Sequence, residues 1–460
     1  MTEVSRRPRR VGRTDVPTVA AVVVVLALAL YRTLMTQILF ADGSFFLVRI
    51  VDTRWFIFDS GRQMGNLATQ LPVVAGARLL NSHSFHVMAI LMGVGFILIP
   101  AVLAATAIWM SRRDHAVLAF VFASQFLLLT LGYADLGSQF VTQVFVLIAT
   151  ILLVRNSQPF WHFILAGILG LFTVASYQSF VLFGPVLIVM LLLRGRRGCA
   201  PVPSWMTIFL IAEFALSTMW NAWILASGQS TGASNKLVSA ATDWNYYTAS
   251  QHIRLIFFAA VVLGYVLLAW VTRPGTSLVT GRWRVVLWVV VTCVVSASIL
   301  MWTLWMQPKV TFSLRGFVAG LIGLLGLAIC LGTVRRTERA HPAWSAAPLY
   351  SLLAVGVISA STVAFQWHRF QSQFQTAMSA QTGTVSVKDL QIEPWLMSRF
   401  DWVWTNSTFG VILSHRQGVV GVRNVLEGNR TSSSLIIQID NYGAHPQLIN
   451  LPRSLRDFRW

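Results

Sequence analysis

Residues 17–40 read PTVAAVVVVLALALYRTLMTQILF, with five arginines in front of them and Asp42 just behind. About 20 apolar residues suffice to cross the ~30 Å hydrocarbon layer of a bilayer as a helix. The run is longer than the apolar core of a secretory leader, and no small-x-small cleavage site follows it. It therefore reads as a first membrane anchor with its N-terminus inside. The same texture fills most of the chain. Of 460 residues 55% are apolar, 12% aromatic and only 11% charged, and the mean hydropathy is +0.65. These values exclude a cytosolic enzyme, a secreted disulfide scaffold, a coiled coil and a disordered chain. Cys199, Cys293 and Cys330, the three cysteines, fall in or beside apolar segments and offer neither a disulfide framework nor a cysteine metal site.

Runs of membrane-spanning length predict eleven spans, at about 17–39, 86–110, 116–134, 138–154, 160–176, 179–193, 205–225, 254–272, 284–305, 316–334 and 346–366. The fifth and sixth are short and almost abut. With the N-terminus inside, seventeen basic residues fall on cytoplasmic segments and eight on short outer loops, as the positive-inside rule requires. Topology thus accounts for most of the net charge of +19, and no nucleic-acid partner is implied. An odd number of spans places residues 367–460 outside as a separate C-terminal domain after the membrane domain, 1–366. Apolar and polar residues alternate over 382–390, 409–425 and 432–439, which predicts strands of a small mixed or β-rich domain. The fold class expected is an α-helical polytopic membrane protein carrying such a domain.

The first outer loop, 41–85, is long. From Arg49 onward its polar and apolar residues separate onto two faces of a helix running to Gln63, the pattern of an amphipathic helix in the membrane interface, with Arg54 and Phe56 each on the wrong side. Asp42 stands where the first span meets the surface. A carboxylate there can be partly desolvated and serve as a general base, or it can cap the following helix. Asp52 and Asp59 have loop arginines to pair with. Arg49 and Arg62 suit an anionic group, since guanidinium matches phosphate oxygens bidentately, and equally suit lipid headgroups. Asp135 occupies a second outer hairpin, which also reads as a tight polar turn. Residues 176–179, Ser-Tyr-Gln-Ser, form another outer turn in which Tyr177 and Gln178 can line a cavity. Lys309 and Arg315 add cations at the same face. Within the membrane Arg32 and Glu213 are costly to bury, and either pair with each other or face a polar interior. No phosphate-binding glycine loop, dinucleotide fingerprint or zinc-protease helix occurs. The Trp-rich segment 400–406 suits either the core of the small domain or stacking on sugar rings.

The inside N-terminus, the roughly eleven spans, Asp42 at the outer end of the first, the long first outer loop and the extracytoplasmic tail together resemble the GT-C superfamily of integral-membrane glycosyltransferases. That resemblance implies a polyprenyl-phosphate sugar donor and an envelope glycan, lipid or protein acceptor. It implies Asp42 as catalytic base, assisted by Asp135, with Arg49, Arg62, Tyr177, Gln178, Lys309 and Arg315 binding substrate. Gly43 follows Asp42 where many members carry a second acid, which counts against a metal-assisted version. No cofactor is expected, and a divalent metal has no support in the sequence. Thirty-two arginines against three lysines suit a GC-rich bacterial genome, hence a bacterial cytoplasmic membrane as location. The competing expectations are a lipid-linked glycan flippase or other transporter built around Arg32 and Glu213, and a non-enzymatic envelope scaffold.

Overall fold

The computed structural model describes residues 16–40, 42–58, 62–80, 84–131, 136–155, 158–197, 199, 201–227, scattered positions in 253–299, 315–334, 347–380, 384–386, 390–400, 409–410, 412–413 and 424–426. The first apolar run forms α1 (Val16–Leu34) and a 3₁₀ turn at Gln37–Leu39, separated by Thr36 in the left-handed region (φ 48°). α2 (Asp42–Thr53) and α3 (Gln63–Leu79) follow. The second span is one continuous apolar stretch, Phe85–Ser111, made of α4 (Phe85–Gly93), a π-helical turn at Val94–Leu98 and α5 (Ile99–Ser111). Pro100 accounts for the interruption: it lacks an N–H and its ring crowds the carbonyl four residues earlier, so the helix widens by a residue there.

Next come α6 (His115–Leu131), α7 (Leu136–Leu153), α8 (Trp161–Leu171), α9 (Phe180–Leu193) and α10 (Ser204–Ala226), and later α11 (Arg315–Val334) and α12 (Ala347–Ala380). Val16–Leu34, Phe85–Ser111, Ser204–Ala226 and Leu349–Ala377 are long and apolar enough to cross a membrane, and the shorter apolar helices within α6, α7, α8, α9 and α11 coincide with other expected spans. The expected spans at 254–272 and 284–305 lie mostly outside the described residues.

The outer faces of the helices are apolar, and the interior combines apolar packing with a number of buried polar groups. On α10 the exposed residues include Ile208, Leu216, Met219 and Trp223, whereas Glu213, Ser217 and Asn221 are buried. Between α6 and α7, Gln125 and Gln143 exchange two amide hydrogen bonds of 2.9 and 2.8 Å. At the opposite end of the bundle Arg194 donates to the last carbonyls of α7, Ile151 O at 3.0 Å and Leu152 O at 2.6 Å, and caps that helix with a cation at its negative pole. This is an α-helical membrane protein.

Several sequence expectations need correction. The helix expected to run from Arg49 to Gln63 ends at Thr53, because Arg54 turns left-handed (φ 49°) and its carbonyl accepts from Arg78 Nε at 2.8 Å. α2 is also buried on most sides rather than lying in an interface. The regular helix of the fifth expected span stops at Leu171 after 11 residues, roughly 16 Å by the ~1.5 Å rise, and hydrogen-bonded turns carry the chain on through 172–176. The last span does not stop at 366. α12 continues unbroken to Ala380, and its 34 residues measure roughly 51 Å.

In the C-terminal half of α12, Trp367, Phe370 and Phe374 form an aromatic cluster with Phe40, Phe400 and Phe409. The tail begins there with β1 (Thr384–Ser386), α13 (Pro394–Phe400) and β2 (Asn424–Leu426), the strands pairing in parallel with Val385 opposite Val425. The described part of the segment 409–413, expected as the start of a strand, is helical, since Phe409 turns into the aromatic cluster. The expected strand at 432–439 lies outside the described residues.

Glu393 pins α13 to α12. Its carboxylate accepts from Gln373 Nε2 at 2.7 Å, Trp395 Nε1 at 2.5 Å and Arg369. The Gln373 hydrogen bond, then those of Trp395 and Arg369, hold its pKa below the usual carboxylate value. A carboxyl with a depressed folded-state pKa contributes stability above its unfolded value, about 4.3, and loses it as pH falls through the folded value. Hydrogen exchange of residues 390–400 is therefore expected to accelerate as pH, corrected for intrinsic exchange, drops below about 4, and Glu393→Gln should show the faster exchange already at neutral pH.

Candidate functional site

Two buried polar clusters lie where the first outer loop meets the bundle. The first surrounds the end of α1. Arg32 donates from Nε to Gln37 Oε1 at 2.7 Å, both groups being buried, and Thr36 donates from its hydroxyl to Gln371 Oε1 at 2.9 Å. Trp367 Nε1 donates to the Thr36 carbonyl at 3.3 Å, so α12 reads the left-handed turn directly. Asp42 is the first residue of α2 and only 8% exposed. Its carboxylate meets the positive end of the α2 dipole, which stabilises the helix.

The second cluster is built on the connection between α8 and α9. Residues 172–179 are irregular and almost wholly buried, with Ala175 at φ 52°. Thr173 O accepts from Ser176 Oγ at 2.9 Å, from Ser217 Oγ at 2.9 Å and from Asn221 Nδ2 at 3.4 Å. On the other side sits the start of α3. Met64 N donates to Ala175 O at 3.4 Å, and Gly65 packs so closely on Ser176 that a Cβ there would be 3.3 Å from its carbonyl oxygen. The Arg62 guanidinium consequently lies over the Tyr177 ring, 5.2 Å from its centroid, with Gln178 buried beside it.

α3 is positioned from both ends. Asn66 and Gln70 grip the preceding extended segment: Gln70 Oε1 accepts from Ile57 N at 2.8 Å, while Ile57 O accepts from Asn66 Nδ2 at 2.9 Å and Gln70 Nε2 at 3.2 Å. The middle of α3 crosses the π turn of the second span at Gly95, where any Cβ would overlap the Thr69 carbonyl.

Of the residues expected at a site, the structure brings together Arg62, Tyr177 and Gln178 and places Asp42 in the other cluster, at the end of α1. Arg49 rests on its own helix, 5.8 Å from the centroid of Phe45. Arg315 begins α11, and Asp135 and Lys309 lie outside the described residues. Arg32 and Glu213 do not pair: Arg32 reaches Gln37, while Glu213 packs on Gly170 of α8. Thr173, Ser217 and Asn221 were missed. The spacing of four from Glu213 to Ser217 to Asn221 was the available signal, since it puts three polar groups on one stripe of an apolar helix. Among the described residues no cluster of three or more His, Cys, Asp or Glu side chains forms a metal site.

Compared with protein-family models, curated proteins and solved structures, the chain matches none.

The seat of α3 on Gly95 yields a direct test. Gly95→Leu should lift α3, separate Arg62 from Tyr177 and destabilise the detergent-solubilised protein by about 1–3 kcal/mol. Gly332→Leu, at a position with open space around it, should leave the thermal midpoint unchanged.

Proposed function

We propose that this chain is an integral-membrane glycosyltransferase of the GT-C type. It would transfer a sugar from a polyprenyl-phosphate donor to an envelope glycan, lipid or protein acceptor at the outer face of a bacterial cytoplasmic membrane. Eleven spans, an inside N-terminus and an extracytoplasmic tail belong to this proposal. The observation that carries it is the position of Asp42, a buried carboxylate at the head of a helix that leaves the first span.

In this reading Asp42 takes the proton of the acceptor hydroxyl as its oxygen bonds the anomeric carbon, and the bond to phosphate oxygen breaks with its electron pair departing on the lipid phosphate. Arg62 meets that phosphate, with Tyr177 and Gln178 holding the sugar beside it, and burial of the site excludes water. Arg49, Lys309 and Arg315 are further cations for the phosphate, and Asp135 orients the acceptor. Membrane lipids complete the surroundings of the donor's tail.

A lipid-linked glycan flippase or other transporter is the second reading. The half-length α8, ending in buried irregular backbone, favours it, because broken helices of this kind build transporter binding sites.

Asp42→Asn separates these readings. It keeps the size of the side chain and its ability to cap α2 but removes the base. Sugar transfer by the purified enzyme should fall on the order of a hundredfold or more, with donor binding and protein yield maintained. Transfer at the wild-type rate would exclude Asp42 as the base.

A further inference from the structure

Glu213 lies near the middle of α10, 6% exposed, and neither carboxylate oxygen has a hydrogen-bond partner. α8 makes room for it with Gly170, where a Cβ would stand 2.6 Å from the carboxylate carbon. One and two turns onward on the same face stand Ser217 and Asn221, both fully buried. Their donors converge on Thr173 O, and Asn221 Oδ1 is left without a donor. Successive members of this stripe are about 6 Å apart along the helix, a spacing that one bridging water can span. The stripe ends at the 172–179 turn, beside Arg62 and Tyr177.

Among the described residues the helices packed chiefly on α10 are α8 and α9. α9 carries no ionisable side chain. α8 carries His162, two turns and more below Gly170 and bonded to Gln158. No cation therefore faces Glu213 from α8 or α9. Among the described residues Glu213 has neither a donor nor a counter-charge, and a carboxyl group so placed between apolar helices is satisfied most simply by a proton. We propose that Glu213 is a proton-binding site at membrane depth, loaded and unloaded from the side of the 172–179 turn along Asn221, Thr173 O and Ser217. This gives the chain a capacity for proton coupling that does not depend on sugar transfer.

The hydrophobic reagent dicyclohexylcarbodiimide tests it on the wild-type protein. A protonated carboxyl gives its proton to one carbodiimide nitrogen and bonds through oxygen to the central carbon. The acyl group then migrates to nitrogen and leaves a stable N-acylurea that contains the whole reagent. In sealed vesicles, peptide mass spectrometry should find this adduct at Glu213 and not in Glu213→Gln. A water-soluble carbodiimide should give little of it. Raising the pH on the side of the 172–179 turn, external in the orientation proposed above, should lower the yield several-fold, and Asn221→Leu should blunt that response. Absence of the adduct from folded wild-type protein, indifference to pH, or sensitivity only to the opposite side would overturn the proposal. Protection by sodium at constant pH would also overturn it, by making a metal ion the occupant.

Discussion

The carbonyl oxygen of Thr173 accepts hydrogen bonds from Ser176, Ser217 and Asn221, and the architecture of the candidate site depends on it. α8 ends after 11 residues, and the chain then reverses among helices that face lipid. The final carbonyls of a helix have no partners within it, and an unsatisfied peptide group in hydrocarbon costs several kcal/mol. Two polar side chains of α10 and one from the turn itself provide what water provides elsewhere. Once the turn is held, Ala175 O is available to Met64 N, α3 settles on Ser176 through Gly65, and Arg62 comes over Tyr177. Local backbone satisfaction therefore places the residues proposed to meet a lipid phosphate.

The same logic fastens the tail. Thr36 leaves the helix in a left-handed conformation, and its buried carbonyl and hydroxyl both bond to α12, through Trp367 and Gln371. Trp367 carries the aromatic cluster that receives Phe400 and Phe409. α12 is thus a strut linking the mouth of the first span, where Asp42 lies, to the C-terminal segment. Each neutral hydrogen bond adds only about 1 kcal/mol net, so the specificity of these junctions comes from burial of all their members together.

How much of this could be read in the sequence depends on the range of the interactions involved. Apolar run length located α1, the second span and the helices from α6 to α12, because lipid contact imposes composition on every turn of a span, whereas α3 lies in the loop 41–85 and was not expected. The polar residues 176–179 stood out for the same reason. The end of α2 could not be read, since it is set by Arg78, 24 residues away from the Arg54 carbonyl that it captures. The passage of α12 through residue 366 was also hidden: its packing partners change from α6 and α1 to the aromatic cluster, but its helical hydrogen bonding continues. Alternation around Phe409 suggested a strand, yet burial against Trp367 and Phe374 decided for a helix. The pairing imagined for Arg32 with Glu213 failed because Gln37, five residues on, reaches Arg32 first.

A photoreactive polyprenyl phosphate bearing a sugar, activated in membranes that contain the wild-type protein, examines the central claim most directly. The account predicts saturable crosslinks confined to the start of α3 and to residues 172–179, competed away by unlabelled donor. Crosslinks found only on the lipid-facing surface of α10, at Ile208, Leu216 or Met219, and insensitive to competitor, would contradict it.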